Sequence, residues 1–304
     1  MAALAPNDLA VLPAAVAAPA AVAKKARRKL GFGFWVPITW ITTVVVLAMT
    51  APFLKNVPGI RLQSTDKTVG KVGLMPSALH WLGTDQNGRD IFSRLVWGAR
   101  VALAVGVVSV LMAMLIGGTL GLVAGYYRGK IETVLNTLVN TLLAFPALVL
   151  VLAITAFLGR DLDKIVYAIA IVAIPAFARI AYANTLAVSQ REYIMAARSL
   201  GAKNGRILLR EVLPNVILPL SAFALVVTAV AIVAEAGLAF LGLSITRPKP
   251  SWGSMINDGR KLMIDKGVWH VTFIPIIVMF LTVLSINLIG DRLRSIIDGR
   301  EAKV

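Results

Sequence analysis

The chain has 304 residues, of which 58% are hydrophobic and only 15% are charged, whereas a soluble domain carries about 45–50% apolar and about 25% charged residues. This composition excludes an ordinary soluble globular protein. The net charge of +16 favours contact with anionic lipid headgroups or nucleic acid, and the high apolar content selects lipid, so no nucleic-acid partner is predicted. The sequence has no cysteine, which excludes disulfides, thiolate nucleophiles and cysteine-ligated metals.

The two histidines, His80 and His270, each adjoin a tryptophan, Trp81 and Trp269 respectively. A polar ring beside an indole is typical of the membrane interface rather than of a metal site. We therefore predict no metal site, no resident cofactor and no catalytic residue in this chain.

Residues 1–30 are predicted to form a disordered cytoplasmic tail. Three prolines interrupt its Ala- and Val-rich sequence, and a basic cluster at residues 24–29 follows, which would lie near anionic lipid. A cleaved secretory signal is the alternative, but such a signal places its positive charges before the apolar stretch.

Residues 31–304 are predicted to form an all-α, polytopic membrane domain with six transmembrane helices. A span needs about 20 apolar residues, and backbone amides in lipid must bond within their own segment, which favours helices. Glycines at 117, 118, 121 and 125 are expected to let helices pack closely. The predicted spans are 34–54, 101–127, 133–159, 165–188, 212–245 and 267–290.

An even number of spans places both termini on one side of the membrane. Lysine and arginine are almost equally numerous on the two sides, but the long 55–100 loop holds half of those opposite the termini. Because the positive-inside rule applies to short loops, we predict that both termini are cytoplasmic.

The segment between the fourth and fifth spans, residues 189–214, is predicted to form a helix, a turn and a second helix. Gly201 is placed to end the first helix in a left-handed conformation, and Pro214 is expected to break the second where the chain enters the membrane. The small pair Ala196-Ala197 would let the first helix sit deeply in a groove of another protein. An amphipathic helix lying on the inner leaflet is the alternative.

This spacing resembles the cytoplasmic signature with which membrane subunits of ATP-binding-cassette importers dock their ATPases: Glu-Ala-Ala, three residues, Gly, nine residues, Ile, one residue, Leu-Pro. The chain departs from it at Met195 and Glu211, which puts a salt bridge from position 195 in doubt. The resemblance implies the following ATPase-coupling residues: Glu192, Ala196, Ala197, Arg198, Gly201, Leu213 and Pro214.

Two further stretches, residues 81–100 and 234–253, resemble segments of the dipeptide, oligopeptide and nickel permeases, and the whole arrangement is similar to the C-type subunit. In the first stretch we expect Thr84 or Asp85 to cap a helix along the outer leaflet, and Arg89 to pair with Asp90. Scaffolding is the expected role; contact with substrate or with a binding protein is the alternative. The implied extracytoplasmic residues are Gly83, Thr84, Asp85, Gly88, Arg89, Asp90, Ser251, Trp252 and Gly253.

Glu235 is an acidic residue well inside an apolar run. A charge at the bilayer centre costs about 2.5–3.5 kcal/mol, so this side chain should face protein or a watery path. It either contacts a cationic group of the substrate in the translocation pathway or forms a hydrogen-bonded structural carboxyl.

The resemblance implies a type I importer permease in a bacterial-type cell membrane, with a homologous permease, two ATPase chains and an extracytoplasmic binding protein as partners. The chain has no phosphate-binding G-x-x-x-x-G-K-[ST] loop, so ATP and Mg would be bound by the partner ATPases. The implied cargo is peptides, with nickel and haem left open. A self-contained ion-coupled carrier is the alternative, but only Glu235 offers an intramembrane acid. An intramembrane enzyme would need a nucleophile and base that are not evident.

Overall fold

Apolar runs fold into long helices throughout the part of the chain that the computed structural model describes, residues 32–54 and 71–301. The predicted tail, residues 1–30, lies outside the described residues. Within them the only extended pairing is an isolated bridge between Thr84 and Asp90, so the all-α prediction is confirmed. The helices are α1 (Phe32–Leu54), α2 (Ile91–Leu103), α3 (Ser109–Tyr127), α4 (Gly129–Leu143), α5 (Ala147–Leu158), α6 (Leu162–Ser189), α7 (Glu192–Ser199), α8 (Asn204–Ile207), α9 (Leu213–Phe240), α10 (Trp252–Lys266) and α11 (His270–Glu301).

Five helices of the described residues are long and apolar enough to cross a membrane, and a bent pair, α4 with α5, supplies a sixth crossing if it is counted as one span. The five are Phe34–Phe53, Ile91–Tyr127, Leu162–Ser189, Asn204–Phe240 and His270–Ser295.

The stretch predicted as one span at 133–159 is two helices, α4 and α5, which meet at 88°. Pro146 explains the break, because proline has no N–H to donate and disfavours helical geometry in the residue before it. Its backbone is extended, with φ −58° and ψ 124°. Hydropathy alone does not reveal this bend, since both helices are apolar.

Helix α2 is continuous with the second span, whereas we expected a separate helix before it. A π-helical turn, Ala104–Val108, joins α2 to α3, and the whole stretch Ile91–Tyr127 forms one apolar helix of 37 residues. The helix predicted along the outer leaflet is therefore continuous with the second span and not a separate element.

The break expected at Pro214 is also absent, because helix Asn204–Phe240 runs through it. A second π-helical turn, Leu208–Val212, precedes the proline. In it the Leu213 N–H donates to the carbonyl of Leu208, five residues back. We attribute the continuity to this wider turn, which accommodates the missing N–H and the bulky ring of proline.

The described helices pack around two large apolar cores, and a small third cluster joins α1 to α2. The first joins α3, α6 and the 189–214 segment through residues such as Phe177, Ile194 and Ile207; the second joins α1, α2, α10 and α11 through residues such as Ile91 and Trp252. Helix α9 contributes to both cores.

Close contact between α3 and α6 depends on a row of glycines, which confirms three of the four predicted packing positions. A Cβ added at Gly117 or Gly121 would collide with a backbone carbonyl of α6, and one at Gly125 would lie 2.8 Å from Thr185 Cβ. At Gly118 an added Cβ would make ordinary contact with Leu220. The two backbones can approach only because these side chains are absent.

Candidate coupling and extracytoplasmic sites

Helix α7 of the 189–214 segment ends in a Schellman motif. Gly201 has φ +79°, as predicted. Its N–H donates to Arg198 O at 2.9 Å, and the N–H of Ala202 donates to Ala197 O at 3.1 Å. This pair of bonds satisfies carbonyls that the helix end would otherwise leave unpaired. At the other end Glu192 lies in the first turn, where a carboxylate is favourable to the helix dipole.

Two isoleucines hold the segment against the membrane helices, while two of its apolar side chains are strongly exposed. Ile194 and Ile207 are completely buried. By contrast Leu200 is 88% exposed and Met195 is 53% exposed. Apolar side chains this exposed at a helix end are typical of a surface that another protein covers.

The remaining residues of the predicted coupling set lie around this surface. Glu192, Ala196 and Arg198 are exposed and Ala197 is half-buried, so the small pair is accessible on one side. Leu213 is half-buried and Pro214 is exposed, both in the continuous helix that leads into the membrane.

Tyr126 near the end of α3 connects this segment to the membrane helices, which the sequence analysis did not foresee. Its hydroxyl donates to Asn204 Oδ1 at 3.0 Å, and the Arg198 guanidinium lies over its ring at 5.1 Å from the centroid. Tyr126 is buried, with 6% exposure. The partners are 78 residues apart for the hydrogen bond, and no sequence pattern indicates the pairing.

The stretch at residues 81–100, which is predicted to be extracytoplasmic, is built around Asp90, and this corrects two expectations. Asp90, not Thr84 or Asp85, caps α2, because its Oδ1 accepts from Ser93 N at 2.8 Å. Its Oδ2 lies 3.0 Å from His80 Nδ1. The predicted pair between Arg89 and Asp90 is not formed.

Thr84 and Asp85 instead organise the loop that precedes α2. The Thr84 hydroxyl accepts from Leu74 N and donates to Lys71 O, each at 2.8 Å. Asp85 Oδ1 accepts from the N–H of Arg89 at 2.8 Å, and Asp85 Oδ2 forms an ion pair with Arg94 Nε at 3.3 Å.

The two predicted glycines complete this loop. The N–H of Gly88 donates to Asp85 O at 3.1 Å, and the carbonyl of Gly83 accepts from the N–H of Ile91, the first residue of α2. An added Cβ at Gly83 would lie 2.7 Å from His270 Nε2, so this glycine also lets α11 approach the loop.

The stretch at residues 234–253, whose end is also predicted to be extracytoplasmic, packs onto the stretch at residues 81–100. Trp252 is buried and its indole N–H donates to Leu95 O of α2 at 3.0 Å. Ser251 and Ser254 form a capping box at the start of α10. Gly253 lies so close to α9 that an added Cβ would be 2.8 Å from Ala239 Cβ. The fold therefore brings together the two stretches that the sequence analysis singled out.

Glu235 is enclosed by its own chain, with 3% exposure. The hydroxyl of Ser244, in the loop after α9, donates to its Oε1. The carboxyl therefore has a hydrogen-bonding partner within the subunit.

The described residues contain no group of three or more His, Cys, Asp or Glu side chains that could hold a metal ion. His80 is engaged with Asp90, and His270 Nε2 lies 3.1 Å from Leu74 O.

Comparison with known proteins connects this architecture to transport. Residues 117–303 match the family described as "Binding-protein-dependent transport system inner membrane component". The glutathione transport system permease protein GsiD of Pectobacterium atrosepticum is 44% identical over 225 residues, 74% of each chain. The dipeptide transport system permease protein DppC of Alkalihalophilus pseudofirmus is 41% identical over 260 residues, 86% of this chain and 83% of the relative.

A solved structure shows the same fold. A chain of the inward-facing MetNI methionine ABC transporter superposes with a TM-score of 0.56 and 20% identity, covering 66% of this chain and 95% of that chain.

Proposed function

Because the chain belongs to the family of binding-protein-dependent transport system inner membrane components, we propose that it forms half of the translocation pathway of an ATP-driven peptide importer. It docks a separate ATPase subunit through α7. The type I importer permease fold is confirmed by the superposition on the methionine transporter, and the chain is a multi-pass permease of the inner membrane.

The observation that carries the docking proposal is the shape of the 189–214 segment. A short helix with a tight glycine-dependent end presents Leu200 and Met195 outward, while Ile194 and Ile207 hold it against α3 and α6. A helix that lay on the leaflet as an independent unit would not need these anchors. A helix that receives force from a partner does need them, because the force must reach the membrane helices.

The relatives support this proposal over a self-contained ion-coupled carrier. GsiD and DppC are named as permease proteins of transport systems, and the family description specifies dependence on a binding protein. Within the described residues Glu235 accepts a hydrogen bond from Ser244, as expected of a structural carboxyl, whereas proton-coupled carriers use chains of acidic and histidine side chains.

Peptides are the proposed cargo, since the relatives' names specify glutathione and dipeptide. The proposed partners are a homologous permease, two ATPase chains that bind ATP and Mg, and an extracytoplasmic binding protein. This chain is non-catalytic, and both of its termini lie in the cytoplasm on the side of α7.

The extracytoplasmic residues serve as scaffold in this proposal. Internal hydrogen bonds engage the polar groups of Asp90, Trp252 and Thr84, which supports a structural role over direct substrate contact. The Ser244 bond likewise supports a structural role for Glu235.

The test is co-purification of tagged chain from its native membrane in mild detergent, followed by mass spectrometry. We expect a second permease and an ATPase. Replacing Leu200 with Glu should remove the ATPase and retain the second permease, because the charge would enter an apolar groove. Met75→Glu, at a side chain that is 68% exposed in the other loop region, is the matched control.

Recovery of the chain alone, together with ATP-independent solute movement in liposomes, would instead establish the ion-coupled carrier. Retention of the ATPase by the Leu200→Glu variant would show that α7 does not form the docking surface.

A further inference from the structure

Helix α4 carries exposed polar side chains along one face, although it belongs to an apolar membrane segment. We call Thr133, Thr137, Asn140 and Thr141 the polar stripe. Thr137 follows Thr133 by four residues, and Asn140 and Thr141 follow Thr137 by three and four, which places all four on one side of a helix. All four are exposed.

Hydrogen bonding within the stripe leaves it rich in acceptors. Each threonine hydroxyl donates to the carbonyl four residues earlier: Thr133 to Gly129 O at 3.1 Å, and Thr137 and Thr141 to Thr133 O and Thr137 O at 2.8 Å. The side-chain amide of Asn140 has no hydrogen-bonding partner among the described residues. An unpaired amide is costly in hydrocarbon, so this face does not contact lipid.

The neighbouring face of α4 has the opposite character. Ile131, Val134 and Leu138 are 45%, 59% and 57% exposed, as expected for side chains in lipid. On the other flank, the hydroxyl of Tyr182 in α6 donates a hydrogen bond to Glu132 of α4. This bond helps to fix the rotation of α4, so that the helix separates an apolar environment from a polar one.

The stripe occupies only one end of the membrane domain. Helix α4 begins next to the end of α3, where Tyr126 contacts the 189–214 segment, so the stripe lies on the α7 side. Helix α5, beyond the 88° bend, does not continue it: its one polar side chain, Thr155, is completely buried.

We propose that the polar stripe lines the water-filled path through which peptide leaves the importer on the α7 side, with Asn140 contacting the peptide main chain. This inference rests on the proposed function. The three threonine hydroxyls have already donated their protons within α4, so they offer a second permease helix only acceptors. Water and peptide N–H groups supply the matching donors, and uncharged groups accept peptides of any side-chain charge.

Because the native chain has no cysteine, single-cysteine variants test this directly. Asn140→Cys is compared with Leu138→Cys on the lipid side and Val139→Cys in the buried position, in the importer reconstituted into liposomes. We would measure the rate at which a membrane-impermeant maleimide labels this subunit. We expect Asn140→Cys to react about tenfold faster than either control, because the thiolate forms only in water.

Trapping the importer with ATP and vanadate should change the rate at Asn140→Cys and leave the rate at Leu138→Cys unchanged, since only a path that opens and closes responds to the nucleotide state. Asn140→Leu should also lower uptake of radiolabelled dialanine about tenfold, the equivalent of one lost hydrogen bond, with normal recovery of the partner chains.

Equal labelling of Asn140→Cys and Leu138→Cys, or efficient cross-linking of Asn140→Cys to the second permease, would overturn the inference. Labelling is measured without cargo. Absence of dialanine uptake by the unmutated importer would therefore contradict the proposed cargo and not the water-filled path.

Discussion

Gly201 and Gly205 stand four residues apart in the same exposed segment but differ in one property of the backbone. No atom lies within 4 Å of a Cβ added at either position. Only Gly201 has a positive φ, +79°, which costs another L-residue about 1–2 kcal/mol. The two sites therefore separate the backbone effect from steric collision within the chain.

We expect the Gly201→Val subunit to insert normally into the membrane and to uncouple ATP hydrolysis from uptake. The end of α7 would change direction, and Leu200 would no longer be oriented to contact the ATPase. Gly205→Val should retain coupling. Moles of solute taken up per mole of ATP hydrolysed by the reconstituted importer provide the measurement. Normal coupling in Gly201→Val would show that the end of α7 does not position the docking surface.

Residue-level prediction succeeded where chemistry is local and failed where it depends on distant partners. The left-handed Gly201 follows from a helix, a glycine and a turn in sequence. The sequence could not single out Asp90 as the cap of α2, because Thr84 and Asp85 have the same capping chemistry. The choice among the three depends on the residue at which α2 begins. The pairing of Tyr126 with Asn204 needs the packed fold, since four helices, α4 to α7, lie between the two residues in the sequence.

At the scale of elements, the pair α3 and α6 is the most extensive helix contact of the described fold. Because the two helices approach closely, we expect any side chain added at the centre of their contact to destabilise the subunit. Gly121 lies against the Ala178 carbonyl, whereas Gly118 has space, with Leu220 Cδ2 at 3.5 Å from an added Cβ.

Gly121→Val should destabilise the subunit by about 1–3 kcal/mol, the range for overpacking a well-packed core, and Gly118→Ala should have little effect. Thermal unfolding of the purified complexes, followed by loss of the monodisperse peak in gel filtration, provides the comparison. Equal unfolding temperatures would mean that α3 and α6 can move apart without loss of stability.

The prolines show what the sequence reveals about whole elements. Six apolar runs were evident from composition, yet Pro146 and Pro214 behave oppositely. At Pro146 the chain bends, so that the axes of α4 and α5 meet at 88°. At Pro214 a preceding π-helical turn lets the helix continue without a break. The local preference of proline is the same in both places, and the surrounding packing determines which outcome is realised.

At the scale of the whole molecule, the contact between Arg198, Asn204 and Tyr126 links the docking surface to the membrane helices. Tyr126→Phe removes the hydrogen bond to Asn204 and keeps the ring under Arg198, and Tyr126→Leu removes both interactions. We expect a graded loss of uptake per ATP, small in Tyr126→Phe and several-fold in Tyr126→Leu, because a cation–π contact contributes about 0.5–1 kcal/mol or more.

Tyr127→Leu is the control for this series: the neighbouring tyrosine is 48% exposed and packs edge to face on the Tyr126 ring, so this variant shows whether loss of an aromatic ring at this end of α3 is by itself enough to lower uptake. Co-purified ATPase, measured in each variant, should remain unchanged. A loss of ATPase in proportion to the loss of uptake would show that Tyr126 stabilises docking rather than transmitting it.

The unbroken helix from Asn204 to Phe240 has a mechanical consequence. Its 37 residues span about 55 Å at 1.5 Å per residue, well beyond the membrane core of about 30 Å. A tilt of only about 5° about one end displaces the other by about 5 Å, close to one helical turn. The helix is thus a lever arm that converts a slight rotation next to α7 into a displacement large enough to repack side chains at Glu235 and Ser244.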